Sequence, residues 1–157
     1  MADQAEAVRR NDLYETDFYE WTQEQARLLR EQRFADLDLE NLIDEVQSVG
    51  SSEKREIRNR LRVLLAHLLK WKYQPGRRGS SWRRTIEEQR HQLSEIVAAS
   101  PSLSVYTLQA IEGAYLGATI AAAEETGLAI GIFPDANPFR PEDVLDESFY
   151  PEDRGFE

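Results

Sequence analysis

Ile57, Leu61, Leu64, Leu65, Leu68 and Trp71 recur at three- and four-residue steps, the spacing that puts side chains on one face of an α-helix. Nothing in the chain alternates apolar and polar residues for long enough to build a sheet. Leu128 to Phe133 is the single strand-like run, and one short strand finds no partner. The chain is therefore expected to be all-α: about five helices followed by an irregular, proline-containing segment.

The helix boundaries follow from capping chemistry. Asp12 or Thr16 can accept from the free N–H groups of a first turn, and Phe18, Trp21, Gln25, Leu28 and Leu29 share the face that follows. A second helix is expected from Asp38, with Leu39, Leu42, Ile43, Val46 and Val49 as its apolar stripe. Gly50 is expected to stop or kink it, because glycine accepts the left-handed conformation at helix ends. Ser51 or Ser52 then restarts the chain into the Ile57–Trp71 helix, which ends near Tyr73 before Gln74-Pro75-Gly76. Ser80 or Ser81 caps a helix carrying Trp82, Ile86, Leu93, Ile96 and Val97. Ser100-Pro101 opens the next, with proline at the position where a missing N–H costs nothing, and Gly127 closes it. Gly113, Ala114, Gly117, Ala118, Ala121 and Ala122 are small, as at a close helix contact. Pro134, Pro138, Pro141 and Pro151 punctuate the rest, with one short helix expected from Pro141 to Leu145. The expected organisation is an arm over residues 1–11, one helical domain over 12–151 and a tail over 152–157.

A chain of 157 residues suits one hydrophobic core. With 41% apolar residues it is not a disordered acidic polymer, and with no cysteine it has neither disulfides nor thiolate chemistry. Ala114 to Ala123 is about half of the ~20 residues a bilayer span needs. No basic stretch followed by an apolar run marks a secretory leader, so a cytoplasmic protein without membrane association is expected.

The net charge of −10 is unevenly spread. Residues 1–50 balance to −8, residues 51–100 to +7 and residues 101–157 to −9. Sixteen of the 19 basic residues are arginine, whose planar fork suits paired contacts to carboxylate or phosphate.

In chain order, YETDFYEWTQEQARLLR, LDLENLIDEV, GSSEKREIRNRLRVLLAHLLKWKYQP, SWRRTIEEQR, SPSL, AAAEETGL and FPDANPF resemble the bacterial family known as domain of unknown function 29. The resemblance covers roughly Tyr14 to Pro151. It implies a compact helical domain and brings no activity, substrate or cofactor with it.

Lys70, Lys72, Tyr73, Arg77, Arg78, Arg83 and Arg84, interleaved with Trp71 and Trp82, have the composition of an anion or nucleic-acid surface: cations for phosphates, rings for bases. The competing structural account puts Trp71 and Trp82 in the core and pairs Arg83 with Glu87 and Arg84 with Glu88 at helical spacing. Net acidity also repels a polyanion. A second candidate is a structural ion-pair network in which Asp44 and Glu45 meet Arg58 and Arg62. His67 falls at the edge of its helix's apolar stripe and His91 on the solvent side. Glu88-Gln-Arg-His91 has the spacing of bundle di-metal sites, but such sites need two copies of the motif, so no metal or cofactor is expected. No nucleophile elbow, phosphate loop or dinucleotide fingerprint is present. The expected function is a non-enzymatic interaction module that binds an unknown protein partner or itself. Nucleic-acid binding through 70–84 is the first alternative, and a hydrolase or metal protein using carboxylates and histidine is the second.

Overall fold

The computed structural model describes residues 12–152. The arm over residues 1–11, and residues 153–157 of the tail, lie outside the described residues. Residues 12–16 are helical and are followed by α1 (Phe18–Arg30), α2 (Leu39–Tyr73), α3 (Ser80–Ala99), α4 (Ser104–Thr126) and the one-turn α5 (Pro141–Leu145). Short 3₁₀ turns lie at Phe34–Asp36, Pro75–Arg77, Pro101–Leu103 and Ile130–Ile132, and there is no strand among the described residues. The fold is all-α. The strand-like run at 128–133 takes the last of these 3₁₀ turns.

The chain divides into two compact units, Met1–Ser52 and Glu53–Glu157, with the boundary inside α2. In the first, Asp17 caps α1 by accepting from the Glu20 N–H at 3.0 Å. Trp21, Gln25 and Leu28 form its buried face. The Trp21 indole N–H donates to Asp38 at 3.1 Å, and the Asp38 N–H donates to the Gln25 side-chain oxygen at 2.9 Å. The Trp21 N–H and the Gln25 Oε1 are thereby satisfied at the start of α2, while the buried Gln25 Nε2 has no partner. Tyr14 and Phe18 pack on Trp21 at ring separations of 5.0 and 5.6 Å. Phe18 and Leu29, expected on the buried face, remain largely exposed.

In the second unit Ile57, Leu61, Leu64, Leu65, Leu68 and Trp71 are all buried, as their spacing requires. Truncating one of these leucines to alanine costs about 2–5 kcal/mol. Ile86 and Leu93 of α3 and Ile111, Ala114, Tyr115, Ala118 and Ala122 of α4 close on them. Phe133, Phe139 and Val144 complete the core. The proline-punctuated segment is thus irregular in conformation but supplies three core side chains. The Tyr115 hydroxyl fastens it by donating to the Pro134 carbonyl at 2.6 Å.

Three expected boundaries need correction. Gly50 does not end a helix: α2 runs through it without interruption. Glycine weakens a helix without breaking it, and no proline follows within the helix to enforce a stop. Ser80 and Ser81 lie inside the first turn of α3, whose cap residue is Gly79. Ser100 precedes the Pro101 turn, but its hydroxyl donates to Glu53 at 2.9 Å instead of capping. Gly127 does close α4, at φ 73°, and α5 covers Pro141–Leu145 as expected. Gly117 sits beneath the Arg62 stem, where a Cβ would stand 3.0 Å from Cδ. Gly113, by contrast, is exposed and touches no such neighbour.

Candidate functional site

The basic-aromatic residues from Lys70 to Arg84 separate into two arrangements, both within the second unit. In the first, Lys70 is buried, and its ammonium lies 2.6 Å from Glu125 Oε2, 3.5 Å from His67 Nε2 and 4.9 Å from the centre of the Trp82 ring. His67 Nδ1 lies 2.9 Å from the Val63 carbonyl. A carbonyl only accepts, so Nδ1 carries the proton and Nε2 turns its lone pair toward Lys70. Burial pulls the imidazole below its usual value of 6.5, and the Lys70 charge acts in the same direction. The cluster ties α2 to α4 through a lysine surrounded by a carboxylate, an imidazole and an indole face.

The second arrangement is a ladder of guanidinium groups and rings. Arg78 lies over Trp71 at 5.4 Å, and Arg83 reaches Trp71 at 5.4 Å and Tyr150 at 4.8 Å. Arg90 meets the same Tyr150 ring at 5.6 Å, and Trp71 and Tyr150 are 4.9 Å apart. Such contacts contribute about 0.5–1 kcal/mol each where exposed and more where desolvated. Arg78 Nε also donates to the Trp71 carbonyl at 2.7 Å. Arg90 is buried, and its Nε donates to the Val144 carbonyl at 2.9 Å, at the C-terminal end of α5 where carbonyls lack helical partners. Its Nη1 is buried with no partner. Burial lowers the Arg90 pKa against the pull of nearby Asp146, Glu147 and Glu87.

The sequence-derived pairs are redistributed accordingly. Arg83 faces rings instead of Glu87, and Glu87 accepts from the Tyr150 hydroxyl at 3.3 Å. Tyr73 packs edge-on against Phe133 at 5.3 Å, while Lys72 is half-buried. Arg77 and Arg84 are exposed. Of the seven residues, Lys70 is buried, Lys72, Tyr73 and Arg78 are half-buried, and Arg77, Arg83 and Arg84 are exposed. Two partners had no motif to announce them: Arg90 and Tyr150. Arg90 lies at helical spacing between Ile86, Leu93 and Val97, which is the one sign that its side chain points inward.

Of the four residues expected in a structural ion-pair network, Glu45 accepts from the Tyr14 hydroxyl at 2.6 Å, which pushes that phenol up to about 12. Arg58 donates to the Tyr106 hydroxyl at 2.7 Å, Arg62 lies on Gly117 and Asp44 is exposed. Inside the second unit Lys70 of α2 meets Glu125 of α4 at 2.6 Å, and Arg60 meets Glu56 along α2 at 2.7 Å.

Among the described residues no three His, Cys, Asp or Glu side chains gather as metal ligands. His91 is exposed. No helix of the described residues is long and apolar enough to cross a membrane. Neither a curated protein nor a solved structure matches the chain. The model of one family, described as Domain of unknown function DUF29, matches residues 13–150, and the chain belongs to that family.

Proposed function

We propose that this chain is a helical interaction module, acting by docking a protein on an uncovered apolar helix face. The observation that carries this is the first half of α2. Leu39, Ile43, Val46 and Val49 are 54%, 54%, 67% and 69% exposed. They recur at the three- and four-residue steps that share one helix face. A surface helix ordinarily turns such a stripe to a core, and contiguous exposed apolar patches mark binding surfaces. Nucleic-acid binding through 70–84 draws less support, because Lys70 is buried and Arg78 and Arg83 lie against rings.

The test is a photo-crosslinking side chain placed at Val46 and, as a control, at exposed Arg84. Adducts from position 46 that disappear with Ile43→Glu, at unchanged helical circular dichroism, support the module. Labelling at position 46 no greater than at position 84 refutes it.

A further inference from the structure

The stripe Leu39, Ile43, Val46 and Val49 is bordered by carboxylates on both edges, and the two edges are not equivalent. At 100° per residue the four apolar side chains span about 120°. Glu45 falls beyond Val49 on one edge, and Glu40 and Asp44 fall beyond Ile43 on the other. The Glu45 edge is satisfied inside the first unit. Glu45 is half-buried and accepts from the Tyr14 hydroxyl at 2.6 Å. Asp38, at the head of the helix, accepts from the Trp21 indole and the Asn41 amide at 3.1 and 2.8 Å. Glu40 and Asp44, by contrast, are exposed. They stand about one helical turn apart, roughly 6 Å along the axis, so their charges form a short row beside the stripe. No lysine or arginine occurs from Phe34 to Glu53, so no neighbour along the helix offsets that row.

This edge restricts what can cover the stripe. A partner lying on Leu39, Ile43, Val46 and Val49 also displaces water from Glu40 and Asp44. Drying a carboxylate is costly unless a cation or hydrogen-bond donors take the water's place. A neutral apolar partner supplies neither, and an acidic one adds repulsion. A second copy of the chain brings the same row and a net charge of −10, and anionic lipid and nucleic acid are repelled in the same way. The backbone hydrogen bonds of α2 are spent within the helix, so an extended peptide gains no ladder there. A helix arrives with its own backbone already satisfied.

We infer that the occupant is a cationic amphipathic helix of another protein. Its apolar side lies on Leu39, Ile43, Val46 and Val49, and its lysines or arginines, spaced four residues apart, lie on Glu40 and Asp44. This inference rests on the interaction-module reading and gives the partner its chemistry.

Fluorescence anisotropy with the full chain tests it. The probe is a labelled synthetic helix of about 18 residues, five turns, with leucines at helical spacing and lysines four apart along one edge. Its controls are the same composition in shuffled order, and the same order with glutamate for lysine. The ordered lysine peptide binds, and binds less tightly as salt screens the exposed pairs. The shuffled peptide binds more weakly, and the glutamate peptide does not bind. Reversing the α2 edge, Glu40→Lys with Asp44→Lys, lowers affinity for the lysine peptide about tenfold. Each exposed pair is worth up to about fivefold, and its reversal adds repulsion. The same variant gains affinity for the glutamate peptide. Ile43→Glu removes binding of the lysine peptide. Reversing two exposed carboxylates of α3, Glu88→Lys with Glu95→Lys, changes the net charge equally and leaves affinity unchanged. Helical circular dichroism is the same for all three variants.

Equal binding of the ordered and shuffled lysine peptides overturns the inference, because charge alone then suffices. Equal losses from the α2 and α3 reversals, or a preference for the glutamate peptide, also overturn it. So does sedimentation equilibrium showing that the chain pairs with itself in a manner abolished by Ile43→Glu. Adducts at Val46 that persist while the lysine peptide fails to bind leave the module standing and overturn its cationic partner alone.

Discussion

Replacing Gly50 with alanine distinguishes one continuous α2 from two helices joined at a glycine. In the structure Gly50 lies inside Leu39–Tyr73, and a Cβ there would meet nothing within 4 Å. Among the described glycines Gly127 is the one with positive φ, so alanine at 50 adopts the existing backbone without strain. The gain is the helix-propensity difference, about 1 kcal/mol. Spread over an unfolding entropy of about 2.1 cal/mol/K per residue, this raises Tm by about 3 °C if the chain melts as one transition. Gly127→Ala supplies the opposite sign: at φ 73° a Cβ is strained, and a loss of about 1 kcal/mol or more is expected. Calorimetry gives the shifts. Amide hydrogen exchange over residues 47–54 shows whether the change is local, and protection there should rise. A fall in Tm for Gly50→Ala, or protection that drops on both sides of residue 50, would refute a continuous helix.

Three further outcomes follow from named contacts. Burial depresses the His67 pKa below 6.5, so its contribution to stability is full above that pH and is lost as pH falls through the folded value, because the unfolded chain takes up the proton first. His67→Leu should therefore flatten the loss of stability between pH 7.5 and 5 in urea titrations, and an unchanged slope counts against it. Tyr14 ionises only near pH 12 because its hydroxyl donates to Glu45. Absorbance titration should lose that late step in Tyr14→Phe and move it earlier in Glu45→Gln; a late step surviving in both would show that another tyrosine carries it. Arg90→Ala removes the donor to the Val144 carbonyl and leaves a cavity, at a cost of about 2–4 kcal/mol. Arg90→Met fills the space without a buried unpaired Nη1 and should cost less. Equal losses for the two would mean that the hydrogen bond dominates.

Helix content and the central core were legible because they depend on spacing alone. Ile57 to Trp71 declare their face through period, and Gly127 declares its stop through φ. Spacing does not say whether anything covers a face. Leu39, Ile43, Val46 and Val49 match the buried stripe in period, yet they are exposed. Gly50 misled because a breaker at one residue competes with the propensity of many helix-forming neighbours, and the neighbours prevailed. Long-range partners such as Lys70 with Glu125, or Arg90 with Val144, depend on where helices pack. No local pattern specifies that.

The ladder from Arg78 to Arg90 bears on the order in which this protein can mature. Its central ring, Tyr150, is drawn from almost 80 residues beyond Trp71, a separation that makes closure slow relative to helix formation. During synthesis Trp71, Arg83 and Arg90 leave the ribosome long before Tyr150 does. Until then the buried guanidinium of Arg90 has neither its ring nor the carbonyl of Val144. A nascent chain halted at residue 140 should accordingly be far more open to protease around α3 than one halted well past residue 150. The segment around Val144 and Tyr150 is what converts the helices of the second unit into a closed unit.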